Sequence, residues 1–146
     1  MVTAFSRKRV FVMDDEPEMQ IFLSNLLRSG EFEPVIKESG SGGIQHILAE
    51  IPDLIILNLG RYHDRQTRLY RELKRCAKLK NIPVIMLSSL SRKTFFHYQH
   101  LKNPPIGGAL PEPEAFIMKP PEAEELLQVV QTLTGSLKSQ TVREEL

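Results

Sequence analysis

Tryptophan is absent from this chain of 146 residues, and cysteine occurs once, as Cys76. One cysteine makes neither an intrachain disulfide framework nor a Cys-based zinc cluster, so a reducing compartment is expected. No apolar run approaches the ~18 residues that span a bilayer. The basic patch Arg7-Lys8-Arg9 leads into only four apolar residues, Val10 to Met13, before acids intervene. That run is too short for a signal-peptide core, and a cytoplasmic location is expected. Charge of one sign is not in excess either: 19 Lys+Arg stand against 18 Asp+Glu, for a net charge of +1. Such a balance argues against a chain that binds nucleic acid along its whole length. With 41% hydrophobic residues it also argues against disorder. Gly-x-Ser-x-Gly and Gly-x-Gly-x-x-Gly are missing, which removes the common signatures of acyl and hydride transfer; no catalytic residue is assigned and no enzyme is expected.

What is present is an alternation of short apolar runs with amphipathic stretches. Val10 to Met13 ends at Asp14-Asp15-Glu16-Pro17, and Met19, Phe22, Leu23, Leu26 and Leu27 follow at helical spacing up to Gly30. Pro34 to Lys37 is a weaker strand. Ser39 to Gly43 reads as a turn before a short helix marked by Ile44, Ile47 and Leu48. Leu54-Ile55-Ile56-Leu57 and Val84-Ile85-Met86-Leu87 are apolar on both faces, as central strands covered on each side must be. Between them Leu69, Leu73, Cys76 and Ala77 form the apolar stripe of a third helix. Arg92 to Leu101 reads as a fourth helix, Ala115 to Met118 as a last strand and Glu122 to Thr132 as a last helix. The rhythm predicts an α/β domain over residues 9–134, a parallel sheet with helices on both faces, flanked by an arm (1–8) and a tail or linker (135–146). In such sheets function sits at the carboxyl ends of the strands. The residues there are Asp14-Asp15, Asn58, Ser88-Ser89 and Lys119-Pro120.

This set, in this order, resembles the response-regulator receiver domain of two-component signalling. Asp14-Asp15, Pro52-Asp53-Leu-Ile-Ile-Leu before residue 58, Pro83-Val-Ile-Met-Leu-Ser88-Ser89 and Phe116-Ile-Met-Lys119-Pro120 carry the likeness, from about Arg9 to Thr134. It implies a flavodoxin-like, doubly wound, five-stranded parallel sheet. It also implies that Asp14 and Asp15, with a backbone carbonyl near Gly60, hold Mg²⁺, a hard cation that takes oxygen ligands. Lys119 would steady phosphoryl oxygens, Ser88 would give them its hydroxyl, and Phe116 would be the aromatic that swings inward when Ser88 moves. Partners or a second copy would dock on the face formed by the fourth helix, fifth strand and fifth helix.

Residue 58 is where the family places its phosphate-accepting aspartate, and here it is Asn58. A neutral carboxamide has no anionic oxygen with which to attack phosphorus. Asp53 lies at the opposite end of its strand and Asp64 several residues along the next loop. Two carboxylates and Lys119 leave −1 at the site. Unit charges ~4 Å apart interact by about 4 kcal/mol at an effective dielectric near 20, so loss of the third carboxylate relieves repulsion and weakens Mg²⁺ attraction. The expected domain is one that is not phosphorylated in the usual way, binds Mg²⁺ weakly at best, acts through protein partners and rests in an inactive-like shape. A small ligand acting at the vestigial pocket is a second signalling reading.

Three other features bear on partners. The loop after Asn58 lacks the Met-Pro and Asp-Gly common in the family. The stretch from Asn103 to Glu114 is a Pro- and Gly-rich surplus beside the docking face, read as altered partners or as drift in a tolerant loop. Between Arg61 and Lys80, eight basic residues stand against two acidic ones. That face is a solvated helix surface or, alternatively, a site for an acidic partner, RNA or DNA, without the aromatic interleaving that supports base stacking. His97 and His100 have no third ligand and read as surface or packing residues. Cys76 reads as a small buried hydrophobe.

Overall fold

The computed structural model describes residues 6–39, 42–60, 63–102 and 109–135, with His63 and Lys102 described by their backbone alone. Most of the N-terminal arm and the tail from Ser136, Gly40-Ser41, Arg61 and the first half of the 103–114 surplus lie outside the described residues. Five strands and five helices alternate: β1 (Arg9–Met13), α1 (Pro17–Ser29), β2 (Glu33–Lys37), α2 (Ile44–Glu50), β3 (Leu54–Asn58), α3 (His63–Arg75), β4 (Val84–Ser88), α4 (Arg92–Lys102), β5 (Ala115–Met118) and α5 (Ala123–Leu133). All neighbouring strands are parallel, in the order β2-β1-β3-β4-β5. This is the parallel sheet covered on both faces that the apolar runs predict, in the flavodoxin-like, doubly wound order that the resemblance implies.

The period of two along each strand divides the interior into two cores. Phe11, Met13, Ile55, Leu57, Val84 and Met86 face Ile47, Leu69, Tyr70, Leu73 and Phe95 from α2, α3 and α4. Val10, Val12, Leu54, Ile56, Ile85 and Leu87 face Leu23, Leu27, Leu126 and Val130 from α1 and α5. Every residue of β3 and β4 is buried, which is why these runs carry no polar alternation before their ends. Pro17 opens α1, where its missing N–H costs nothing. Glu122 caps α5 by accepting from Glu125 N at 3.1 Å.

One expectation needs correction. The third helix ends at Arg75, so Cys76 and Ala77 are not on its stripe; Cys76 is half-buried beside the first core and Ala77 is exposed. The residues that fill the stripe are Gln66, Leu69, Tyr70 and Leu73. The described end of the surplus loop lies against α3, α4 and β4. Leu110 enters the core shared with α3 and α4, Glu114 pairs with Lys74 at 3.2 Å and accepts from Val84 N at 2.7 Å, and Glu112 pairs with Arg92.

Candidate functional site

Parallel strands bring Asp14, Asn58, Ser88 and Lys119 to one rim of the sheet, because each directly follows or ends a strand in register with its neighbour. Asn58, the last residue of β3, is 1% exposed, and Asp14 beside it is fully buried. The Asn58 amide donates from Nδ2 to Asp14 Oδ1 at 2.8 Å and to Glu16 Oε1 at 3.2 Å. Glu16 N also donates to Asp14 Oδ1, at 2.8 Å. Burial raises the Asp14 carboxyl above the ordinary aspartate range; the bonds from Asn58 and from the Glu16 backbone oppose that rise, and the Glu16 charge adds to it.

Lys119 follows β5 and is anchored by its own N–H to Ser88 O at 2.7 Å. Its ammonium, whose side chain is 10% exposed, lies 3.3 Å from Glu16 Oε2 and 3.1 Å from the Leu59 carbonyl. The Ser88 hydroxyl is buried and accepts from Leu90 N at 2.9 Å, so it is turned toward its own loop. Phe116 lies three residues before Lys119, within β5, and does not border the cleft. Its ring packs inward against Phe95 and Phe96, with centroids 5.5 and 6.0 Å apart.

Asp15 borders the cleft beside Asn58 and Gly60, and its Oδ1 accepts from Ser39 N at 2.7 Å. Asp53 caps the far end of the strand by accepting from Arg9 N. The sequence reading missed two residues. Glu16 lies between a cleft of about 640 Å³ bordered by Asp15, Asn58 and Gly60 and one of about 240 Å³ bordered by Gly60, Ser88 and Lys119. With it the site holds three carboxylates and one ammonium, so the expected −1 becomes −2. The signal was the third acid in Asp14-Asp15-Glu16. Gln66 is the other: buried on α3, it donates to the Asn58 carbonyl at 2.6 Å and accepts from Gly60 N at 3.4 Å. A polar residue on an apolar stripe was its signal.

Asp14 Oδ2 and Asn58 Oδ1 are buried oxygens with no hydrogen-bond partner among the described residues. They are hard donors of the kind Mg²⁺ takes, so the residues fit that ion as a sparse set completed by water. No cluster of three or more His, Cys, Asp or Glu side chains placed to hold a metal occurs among the described residues. On α3, Arg65, Arg68 and Arg75 are exposed, as are Lys78 and Lys80 beyond it, whereas Lys74 is paired with Glu114. His97 and His100 are exposed. No helix among the described residues is long and apolar enough to cross a membrane.

No protein-family model matches the chain. The transcriptional regulatory protein BaeR of Escherichia coli is 27% identical over 81 residues, a match that spans 56% of this chain and 32% of that protein. Among solved structures, the signal receiver domain of a signal transduction histidine kinase from Syntrophus aciditrophicus is similar with a TM-score of 0.71 at 25% identity, covering 90% of this chain and 92% of that one. The chemotaxis response regulator CheY4 of Vibrio cholerae gives a TM-score of 0.70 at 16% identity over 88% of this chain and 99% of that one. The receiver domain of a sensor histidine kinase from Pseudomonas aeruginosa, which has a magnesium ion coordinated in its active-site cleft, gives 0.70 at 17% identity over 89% and 99%. In fold and strand order this chain is similar to the receiver domains of two-component response regulators, the group to which these relatives and solved structures belong.

Proposed function

We propose that this receiver domain is not phosphorylated at residue 58 and signals through protein contacts whose geometry is set by sequence. The observation that carries the reading is the Asn58 amide: buried at the phospho-acceptor position, it donates to Asp14 rather than offering an anionic oxygen. A carboxamide there cannot form the acyl phosphate that a carboxylate forms. Mg²⁺, when bound, would be held by Asp14 Oδ2 and Asn58 Oδ1, with Asp15 and the Gly60 carbonyl as further donors, and would neutralise charge at the cleft. The inward packing of Phe116 on Phe95 supports a switch fixed by core contacts.

The docking face is α4–β5–α5. Four large apolar side chains are exposed on it or at its margin: Leu90, Tyr98, Leu101 and Met118, the last two at 66% and 51%. Large apolar groups gathered on one face mark an interaction surface, here for a signalling protein or a second copy.

Intact-mass analysis after incubation with acetyl phosphate and Mg²⁺ tests the reading. Wild type stays unmodified and Asn58→Asp gains one phosphoryl group. A labelled wild type overturns the proposal. An unlabelled variant means that the cleft has lost more than its acceptor.

A further inference from the structure

We propose that Glu16 is the resident anion of the phosphoryl half of the cleft, occupying the groups that an incoming oxyanion needs. The inference rests on the reading that residue 58 is not an acceptor and deepens it by naming what the cleft holds instead. Its basis is one carboxylate with two recognitions: Oε2 on the Lys119 ammonium at 3.3 Å and Oε1 on the Asn58 amide at 3.2 Å. Among the described residues, Lys119 is the only cation bordering the two clefts that flank Glu16, and its ammonium also donates to the Leu59 carbonyl. Any oxyanion entering beside Ser88 and Lys119 must therefore displace Glu16 or share its lysine.

The position of Glu16 follows from the chain. Its backbone N–H is tied to Asp14 Oδ1, and Pro17 starts α1 directly after it, which fixes where its side chain begins. An aspartate at residue 58 would repel this carboxylate, since two like charges close together cannot both be comfortably ionised. An asparagine attracts it by donating. The Asn58 side chain thus does more than lose a nucleophile: it recruits Glu16 into the cleft. The Glu16 side chain is 46% exposed, so the contact is modest in strength and reversible.

The probe is inorganic phosphate, titrated into wild type, Glu16→Gln and Glu16→Ala and followed by ¹H–¹⁵N shifts of Gly60, Ser89 and Lys119. Both variants should bind phosphate about fivefold more tightly than wild type, the effect of releasing one partly exposed ion pair. The gain should disappear when Lys119→Ala is added. Equal affinities, or a gain that survives loss of Lys119, overturn the occupant role. The reading beneath it fails separately, through acetyl-phosphate labelling of wild type, so an unlabelled wild type with unchanged phosphate affinity rejects Glu16 alone.

Discussion

Asn58 and Asp14 meet through a 2.8 Å hydrogen bond from amide to carboxylate, with almost no access to solvent, and each retains one oxygen without a hydrogen-bond partner among the described residues. The pair thus carries a desolvation cost that the single bond does not fully offset. Burial raises the Asp14 pKa in the folded state. The native protein then holds more protons than the unfolded one between the ordinary aspartate value near ~3.9 and the raised value. Stability contributed by this group therefore falls as pH rises through that interval, and the full penalty persists at neutral pH. Asp14→Asn should stabilise the domain at neutral pH in metal-free buffer, with the gain shrinking toward zero below pH ~3.9. Urea unfolding across that range measures it; a loss of stability at neutral pH contradicts the account.

Residue 58 sets the metal response. Asn58→Asp places a new carboxylate against Asp14 and Glu16, where the wild-type amide now donates to both. Without metal the variant should lose about 2 kcal/mol from like-charge repulsion. Millimolar Mg²⁺ should restore most of this, because a ligand that binds only the folded state stabilises it by mass action. Wild type should gain little under the same conditions, and calorimetric titration should show Mg²⁺ binding no tighter than millimolar. Micromolar affinity for the wild-type protein would contradict the sparse donor set.

Gln66 holds the floor of the site. Its amide donates to the Asn58 carbonyl at 2.6 Å, and its oxygen receives Gly60 N, so one side chain ties the end of β3 to the following loop. Replacing it by leucine keeps the volume and leaves the Asn58 carbonyl without this donor. Gln66→Leu should cost about 1–3 kcal/mol in thermal or urea unfolding, the desolvation penalty of a buried group deprived of its partner. It should also broaden the amide resonances of Leu59 and Gly60. A neutral effect would mean that water replaces the glutamine.

The sheet was legible because Leu54 to Leu57 and Val84 to Leu87 have no polar residue to place in water, and only a doubly covered strand tolerates that. The strand-end residues were legible for the same reason: Asp14, Asn58, Ser88 and Lys119 are the first polar groups after each apolar run or just beyond it. Glu16 was not, because its role depends on a side chain reaching across the cleft to Lys119, a contact 103 residues away in sequence. Gln66 was hidden by its helix, where a lone polar residue among Leu69 and Leu73 reads as surface until its partner on β3 is known. The end of α3 was misplaced because Cys76 and Ala77 continue the apolar spacing, while the chain turns at Cys76 to bond Leu79 N and Lys80 N to its carbonyl.

A face kept for docking should tolerate charge, and a face kept for folding should not. Leu101 on α4 and Met118 on β5 are each more than half exposed, while Phe116, two residues before Met118, packs at 5.5 Å from the buried Phe95 ring. Strand alternation puts Phe116 and Met118 on the same side of β5, and the step from packed to exposed marks where the core stops. Leu101→Glu and Met118→Lys should each change unfolding free energy by no more than about 0.5 kcal/mol, as surface substitutions do. Phe116→Ala should cost about 2–3 kcal/mol, from lost apolar burial and lost ring contact. The two surface variants should at the same time lower any self-association seen by sedimentation equilibrium at high protein concentration. Destabilisation by Leu101→Glu beyond about 1 kcal/mol would show that this side chain serves the fold, and would remove the main support for docking through α4.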